Sequence, residues 1–140
     1  MESLDYLEAL GRVMSGEMLD RLARIRDPEL HRWIYEVVSI AEPASVYVVS
    51  GTVEDLEYVR RASLERGEEV ATRFPRHTVH FDGPLDLARD RRNTRILLSG
   101  GVSVPLLNTY DRDAGVKEVL GIARGIMRGR EMFVSFYCFG

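Results

Sequence analysis

Arg128-Gly-Arg-Glu-Met-Phe-Val-Ser-Phe-Tyr-Cys-Phe-Gly140 is the stretch whose reading decides the fold. From Met132 onward, apolar and aromatic residues fall on both faces of an extended chain. A strand that is apolar on both faces wants cover on both sides, as in a layered α/β sheet. The sequence offers this strand no following turn, partner strand or polar tail. The chain is therefore expected to be the front part of a bigger protein, with a share of that protein's function.

Upstream of this strand, Ala114–Met127 has helical periodicity, with Val116, Val119, Leu120, Ile122, Ala123 and Met127 expected toward the core. Thr94–Ser99 reads as a strand, Ser99-Gly100-Gly101 as a turn and Val102–Leu107 as extended. Asp82-Gly83-Pro84 is a turn, Asp86–Arg92 is expected to form one helical turn, and Thr78–Phe81 is a short strand candidate. Ser45-Val-Tyr-Val-Val-Ser50 is a short β-branched strand. After Gly51, Thr52 caps a helix that carries Leu56, Val59, Ala62 and Leu64 and ends near Gly67. Residues 3–26 carry two helical stripes divided at Ser15-Gly16. Asp27-Pro28 restarts a helix, with Asp27 as N-cap and Pro28 at the first helical position, running to about Ala41 and burying Trp33, Ile34, Val37 and Val38.

The expected class is α/β, with α+β as the alternative: N-terminal helices followed by a mixed sheet flanked by helices. The chain reads as one domain over residues 1–140, with a helical preface over 1–44 and an α/β part over 45–140.

At 140 residues the chain can bury a core of ordinary size. The net charge of −3 gives no global basic field to attract nucleic acid. No apolar run approaches membrane-helix length, and Met-Glu-Ser-Leu-Asp lacks the basic start of a signal peptide. The single cysteine, Cys138, precludes an internal disulfide and reads as a buried hydrophobe. A reducing, cytoplasmic location is the expectation. Of the 19 basic residues all but Lys117 are Arg, which suits bidentate carboxylate or phosphate binding. Genome composition explains the same bias.

The densest polar cluster is Asp86-Leu-Ala-Arg89-Asp-Arg-Arg92-Asn-Thr-Arg95, just before a strand. Loops at sheet ends are where open α/β sheets place ligands. Four arginines there could clamp a small dianion, or pair locally with Asp86 and Asp90 as a solvated loop. Ser50-Gly51-Thr52 could cradle an anion at a helix start, but the glycine-rich phosphate signatures are missing and capping is the reading preferred. His77 and His80 sit three apart on a candidate strand, facing opposite sides, with no third metal ligand evident. His31 reads as structural.

Two segments resemble the N-terminal region of the GTP-dependent phosphoenolpyruvate carboxykinase family, in its archaeal type. Pro84-Leu-Asp86-Leu-Ala88-Arg89, followed four residues later by Thr94, is similar to that family's Pro-x-Asp-(Val or Leu)-Ala-Arg-x-x-x-x-Thr stretch. Arg128-Gly-Arg130-Glu-Met-Phe-Val, running into an aromatic strand and Gly140, is similar to its basic-Gly-Arg segment. Asn108–Gly115 and the helix over 116–127 resemble the compact members. The likeness covers about residues 45–140, and nothing in the first 44 residues matches.

The resemblance implies a reaction: oxaloacetate plus GTP gives phosphoenolpyruvate, GDP and CO2. It implies Mn2+ and a nucleotide as cofactors, held by residues beyond this chain, so that metal and catalytic residues are absent from it. It places Arg89 on the substrate carboxylate. Arg91, Arg92 and Arg95 match no catalytic position and are read as solvating the loop. The implied partners are oxaloacetate or phosphoenolpyruvate and the C-terminal part of the same protein, with no nucleic acid and no membrane. The chain alone is expected to be inactive. The alternatives are a stand-alone small-carboxylate or phosphate-binding module, or an interaction domain whose last strand joins a partner's sheet.

Overall fold

A computed structural model describes residues 3–83, 90, 93–102 and 104–138. Their order is α1 (Ser3–Leu10), α2 (Gly16–Ala23), α3 (Pro28–Ala41), β1 (Ser45–Val49), α4 (Val53–Glu65), β2 (Val70–Ala71), β3 (Thr78–Val79), β4 (Ile96–Leu98), β5 (Thr109–Asp111), α5 (Arg112–Ala123) and β6 (Glu131–Ser135). Helices alternate with small parallel and antiparallel sheets, the mixed α/β class expected. Contacts group the chain into two compact units: Met1–Gly51 with Val116–Gly140, and Thr52–Gly115.

Local chemistry sets the helix starts of the first unit. Ser15 is extended and its hydroxyl accepts from the Met18 amide at 3.3 Å, opening α2. Asp27 accepts from the Glu29 and Leu30 amides at 2.9 and 3.2 Å, and Pro28 enters where no amide is needed. α3 ends at Ala41, and Glu42 follows it in the left-handed region at φ 53°, donating its amide to the Val38 carbonyl. The buried cluster is Leu10, Met14, Met18, Leu22, Ile34, Val38, Val46 and Val48. His31 is also buried and contacts the Leu22 carbonyl at 3.2 Å, the structural role expected of it.

β1 and β6 pair in parallel, Ser45 with Glu131 through Val49 with Ser135. Val46 and Val48 lie beside Met132 and Val134, which pack against the helical core. Tyr47 and Phe133 share the opposite face, their rings 6.0 Å apart at 68°. Arg21 reaches from α2 to that face, with its guanidinium 5.4 Å from the Tyr47 ring and a 2.8 Å hydrogen bond to the Val48 carbonyl. The chain between α5 and β6 is fastened to the end of α3. The Gly125 and Met127 amides donate to the Ile40 and Ala41 carbonyls at 2.8 and 2.9 Å, and the Ala44 amide donates to Arg130 at 2.8 Å. Arg128 Nε adds a 2.7 Å bond to Glu42 Oε2.

The second unit holds α4, the antiparallel pair β2–β3 and the parallel pair β4–β5, Ile96 with Thr109 through Leu98 with Asp111. Thr52 caps α4 as expected, its hydroxyl accepting from the Asp55 amide at 3.2 Å. Gly115 is buried where the start of α5 meets β4, and a Cβ there would run into the Leu97 side chain.

Several expectations are corrected. Trp33 is 60% exposed rather than buried, because the core face of α3 is the Ile34–Val38–Ala41 stripe. α5 stops at Ala123, and Val119, Leu120 and Ile122 are exposed rather than in the core. Leu56 of α4 is exposed too. The stretch expected to be extended over 102–107 instead turns at 105–107, with residue 103 outside the described residues, and β5, three residues long, lies just beyond it. The last strand is half-buried rather than buried and ends at Ser135; Phe136, Tyr137 and Cys138 are exposed.

Leu22 is fully buried. Leu22→Ala should therefore lower unfolding free energy by about 2–5 kcal/mol, read from denaturant titration. A loss under about 1 kcal/mol would place Leu22 outside the packed core. The Arg128 guanidinium, hydrogen-bonded to Glu42, holds that carboxyl below its ordinary value of 4.5. A carboxyl depressed on folding contributes stability above its unfolded value that is lost as pH falls through the folded one. Both groups are largely exposed, so the contribution is small. Arg128→Ala should flatten the decline in stability below about pH 4.5. An acid limb identical to the parent's would count against this pairing.

Candidate functional site

The arginine loop before β4 is the site to which the sequence points. Asp86, Arg89, Arg91 and Arg92 lie outside the described residues, and the helical turn expected over 86–92 falls largely there as well. The described part of the loop is its exit. Asp90 forms a small knot: its carboxylate accepts from the Asn93 amide at 3.1 Å and from the Asn93 side-chain amide. The Asp90 carbonyl accepts from the Thr94 amide at 2.8 Å and from Thr94 Oγ1 at 2.7 Å. Such a short aspartate turn lets a side chain replace the missing ladder partners of an exposed backbone.

Thr94 then joins the loop to the sheet. Its carbonyl accepts from Asn108 Nδ2 at 3.1 Å, and the Ile96 amide donates to the Asn108 carbonyl at 2.8 Å. Arg95 lays its guanidinium 4.5 Å from the Tyr110 ring on β5. This contact departs from the reading of Arg95 as a solvating charge, since it is held over an aromatic face. The knot, Asn108 and Tyr110 together fix where the loop leaves the β4–β5 pair. Nothing in the local pattern signals Asn108 or Tyr110, because they reach the loop only through strand pairing 13 residues apart in the Ile96–Thr109 register.

The histidine pair is held by neighbours of its own. His77 Nδ1 lies 2.9 Å from the Pro75 carbonyl. His80 contacts the Glu68 carbonyl, and its Nε2 lies 3.3 Å from Asp82 Oδ1. Among the described residues no three His, Cys, Asp or Glu side chains gather as a metal-binding group. The described donor set therefore does not fit a divalent metal. Also among the described residues, no helix is long and apolar enough to cross a membrane.

A concavity lies beside α4. It has a volume of about 400 Å³ and is lined by Val53, Leu56 and Leu64 together with Glu57, Arg60, Arg61 and Arg76. Arg76 lies 3.7 Å from Glu57, and Arg61 sits 5.6 Å over the Tyr58 ring. The adjacent arginines on one helix were the available signal.

Residues 32–140 match the phosphoenolpyruvate carboxykinase N-terminal domain family. The chain is 42% identical over 134 residues to a phosphoenolpyruvate carboxykinase [GTP] of Pyrococcus abyssi, covering 96% of this chain and 22% of the relative. It is 42% identical over 137 residues to that of Thermococcus kodakarensis, covering 98% and 22%. It is 40% identical over 138 residues to that of Saccharolobus solfataricus, covering 99% and 22%. The chain thus spans about a fifth of the length of these curated relatives. The matches extend into the first 44 residues, where the sequence offered no motif.

Asp90→Ala removes two acceptor contacts from the loop exit. The loss of a typical net hydrogen bond, about 1 kcal/mol, corresponds to about fivefold faster local exchange. The amides of residues 93–96 should exchange with deuterium about that much faster, with the core of α1–α3 unchanged. Unaltered exchange at 93–96 would show that the knot does not hold the loop.

Proposed function

This chain belongs to the phosphoenolpyruvate carboxykinase N-terminal domain family, and from that premise we propose that it supplies the substrate-carboxylate grip of a GTP-dependent phosphoenolpyruvate carboxykinase. The observation that carries the reading is the Pro84–Thr94 motif, carried by a chain that matches named carboxykinases over nearly its whole length. In this reading Arg89 holds one carboxylate of oxaloacetate or phosphoenolpyruvate. A planar, permanently charged guanidinium fixes a carboxylate through two parallel hydrogen bonds.

The reaction has an electrostatic and positional logic. Decarboxylation of oxaloacetate leaves an enolate, whose oxygen takes the γ-phosphoryl group of GTP. A divalent metal, manganese in our proposal, supplies charge stabilisation when bound. This chain's own share is to hold the carboxylate still, so that the reacting oxygen stays in line with the phosphorus. The hydrogen bonds among Asp90, Asn93 and Thr94, which tie the loop's exit to β4, support that role. Cytoplasmic residence and a place in gluconeogenesis belong to the same proposal. The single-domain organisation, with its helical preface over 1–44 and α/β part over 45–140, stands as part of it too.

Nucleotide and metal groups are assigned to polypeptide outside this chain, so the 140 residues alone should not turn over oxaloacetate with GTP. The test is a chimera in which this chain replaces the matching stretch of the Thermococcus kodakarensis relative. It should show GTP-dependent turnover. Arg89→Ala in the chimera should lower kcat/KM about 10- to 100-fold, the size expected for losing hydrogen bonds to a charged group. An unchanged kcat/KM removes Arg89 from the site, and turnover by the isolated chain overturns the division of labour.

A further inference from the structure

We infer that the concavity beside α4 is a binding site for a small molecule with a dianionic head and an apolar body. It is built from other residues than the arginine loop before β4, and the inference does not rest on the carboxykinase reading.

One stripe of α4 is the first observation. Val53, Leu56, Arg60 and Leu64 stand at i, i+3, i+7 and i+11, the spacing of a helix face that is normally apolar throughout. All four line the concavity, and Val53 and Leu56 are 64% and 60% exposed. An arginine interrupts this stripe. An occupant that covers the leucines also takes Arg60 out of water, and an unpaired charge is costly to desolvate. The occupant must therefore bring an anion. The protein does not supply one: Glu57, nearly one turn before Arg60, lies 3.7 Å from Arg76 instead. Among the described residues no hydrogen bond or ion pair engages Arg60.

Charge sets the head of the ligand. Arg60, Arg61 and Arg76 line the cleft against the single carboxylate of Glu57, an excess of two positive charges. Arg76 comes to α4 from a left-handed backbone at φ 64°, a conformation uncommon outside glycine. Guanidiniums grip phosphate and carboxylate alike through paired hydrogen bonds. Size sets the body. A volume of about 400 Å³ falls among small-molecule sites, about 300–1,000 Å³, whereas a stable protein pairing buries about 800 Å² on each partner. A second copy of this chain docking by the same patch would set arginines against arginines, which charge disfavours.

The experiment titrates phenyl phosphate, phthalate, inorganic phosphate and phenol into the 140-residue chain by calorimetry. Phenyl phosphate or phthalate should bind at one site about tenfold or more tighter than inorganic phosphate or phenol, since ring and head each contribute. The tighter of the two names the head. Arg60→Ser and Arg76→Ser should each weaken that binding about tenfold, the loss of a charge-assisted hydrogen bond. Leu56→Ser should weaken phenyl phosphate and leave inorganic phosphate unchanged. All three positions are exposed, so circular dichroism should show an unchanged fold. Arg89→Ala should leave binding as it is. Equal affinity for phenyl phosphate and inorganic phosphate makes the patch a charged surface only and overturns the inference. So does full affinity in folded Arg60→Ser and Arg76→Ser chains, or a loss on Arg89→Ala, which moves the ligand to the arginine loop. Poly-glutamate that binds tighter than both ring compounds overturns it in favour of an acidic polypeptide. The carboxykinase chimera with Arg89→Ala should bind the same probes; if it binds none, other polypeptide fills the cleft and the inference fails.

Discussion

The structure depends on one pairing: β1 with β6, residues 86 apart held in a five-residue parallel register. A parallel pair cannot be joined by a tight turn and needs a long crossover. That requirement explains why the chain leaves the first unit after Gly51 and comes back at Val116. The return is fastened by backbone, since the amides of Gly125 and Met127 reach the last carbonyls of α3, where a helix has unsatisfied acceptors. The exposed Arg128–Glu42 ion pair contributes little beside these bonds. With the pairing in place, Val46 and Val48 close the helical core; without it, α1–α3 have no sheet to pack on.

Legibility in the sequence followed how local the cause was. Asp27 and Thr52 were readable as caps because a cap is a contact over two or three residues. β1 was readable from its β-branched run. Burial was not readable in the same way. Trp33, Leu56 and Ile122 are apolar at helical spacing, yet periodicity says only that a face exists, not that this chain covers it. The same holds for Phe136 and Tyr137 after β6. β5 was missed because three residues, Thr109-Tyr110-Asp111, carry no alternation, and pairing with β4 alone makes them a strand.

The site was legible only through resemblance. Composition and spacing favoured a solvated surface loop over an anion clamp. No local rule separates Arg89 from Arg91 or Arg92, since all three are the same group in the same loop. Only the motif distinguishes them. Arg95 illustrates the difficulty: its pattern suggested solvent, and its neighbour across the β4–β5 pair turned out to be an aromatic ring.

The two motifs that carried the family likeness do different physical work. The Arg128-Gly-Arg130 segment is architecture. Gly129 adopts φ 72°, a conformation open to glycine at little steric cost, and Arg130 takes part through its carbonyl, which accepts the Ala44 amide. Arg128 donates to Glu42 Oε2. A basic side chain in a shared motif is thus weak evidence of anion binding when the glycine beside it and the backbone around it already account for the spacing. In the Pro84–Thr94 segment the described exit is held by Asp90, Asn93, Thr94 and Asn108, while Arg89 lies outside the described residues. Its chemical role is therefore a proposal that rests on the motif itself, on the residue types and their spacing, and on no contact in the structure.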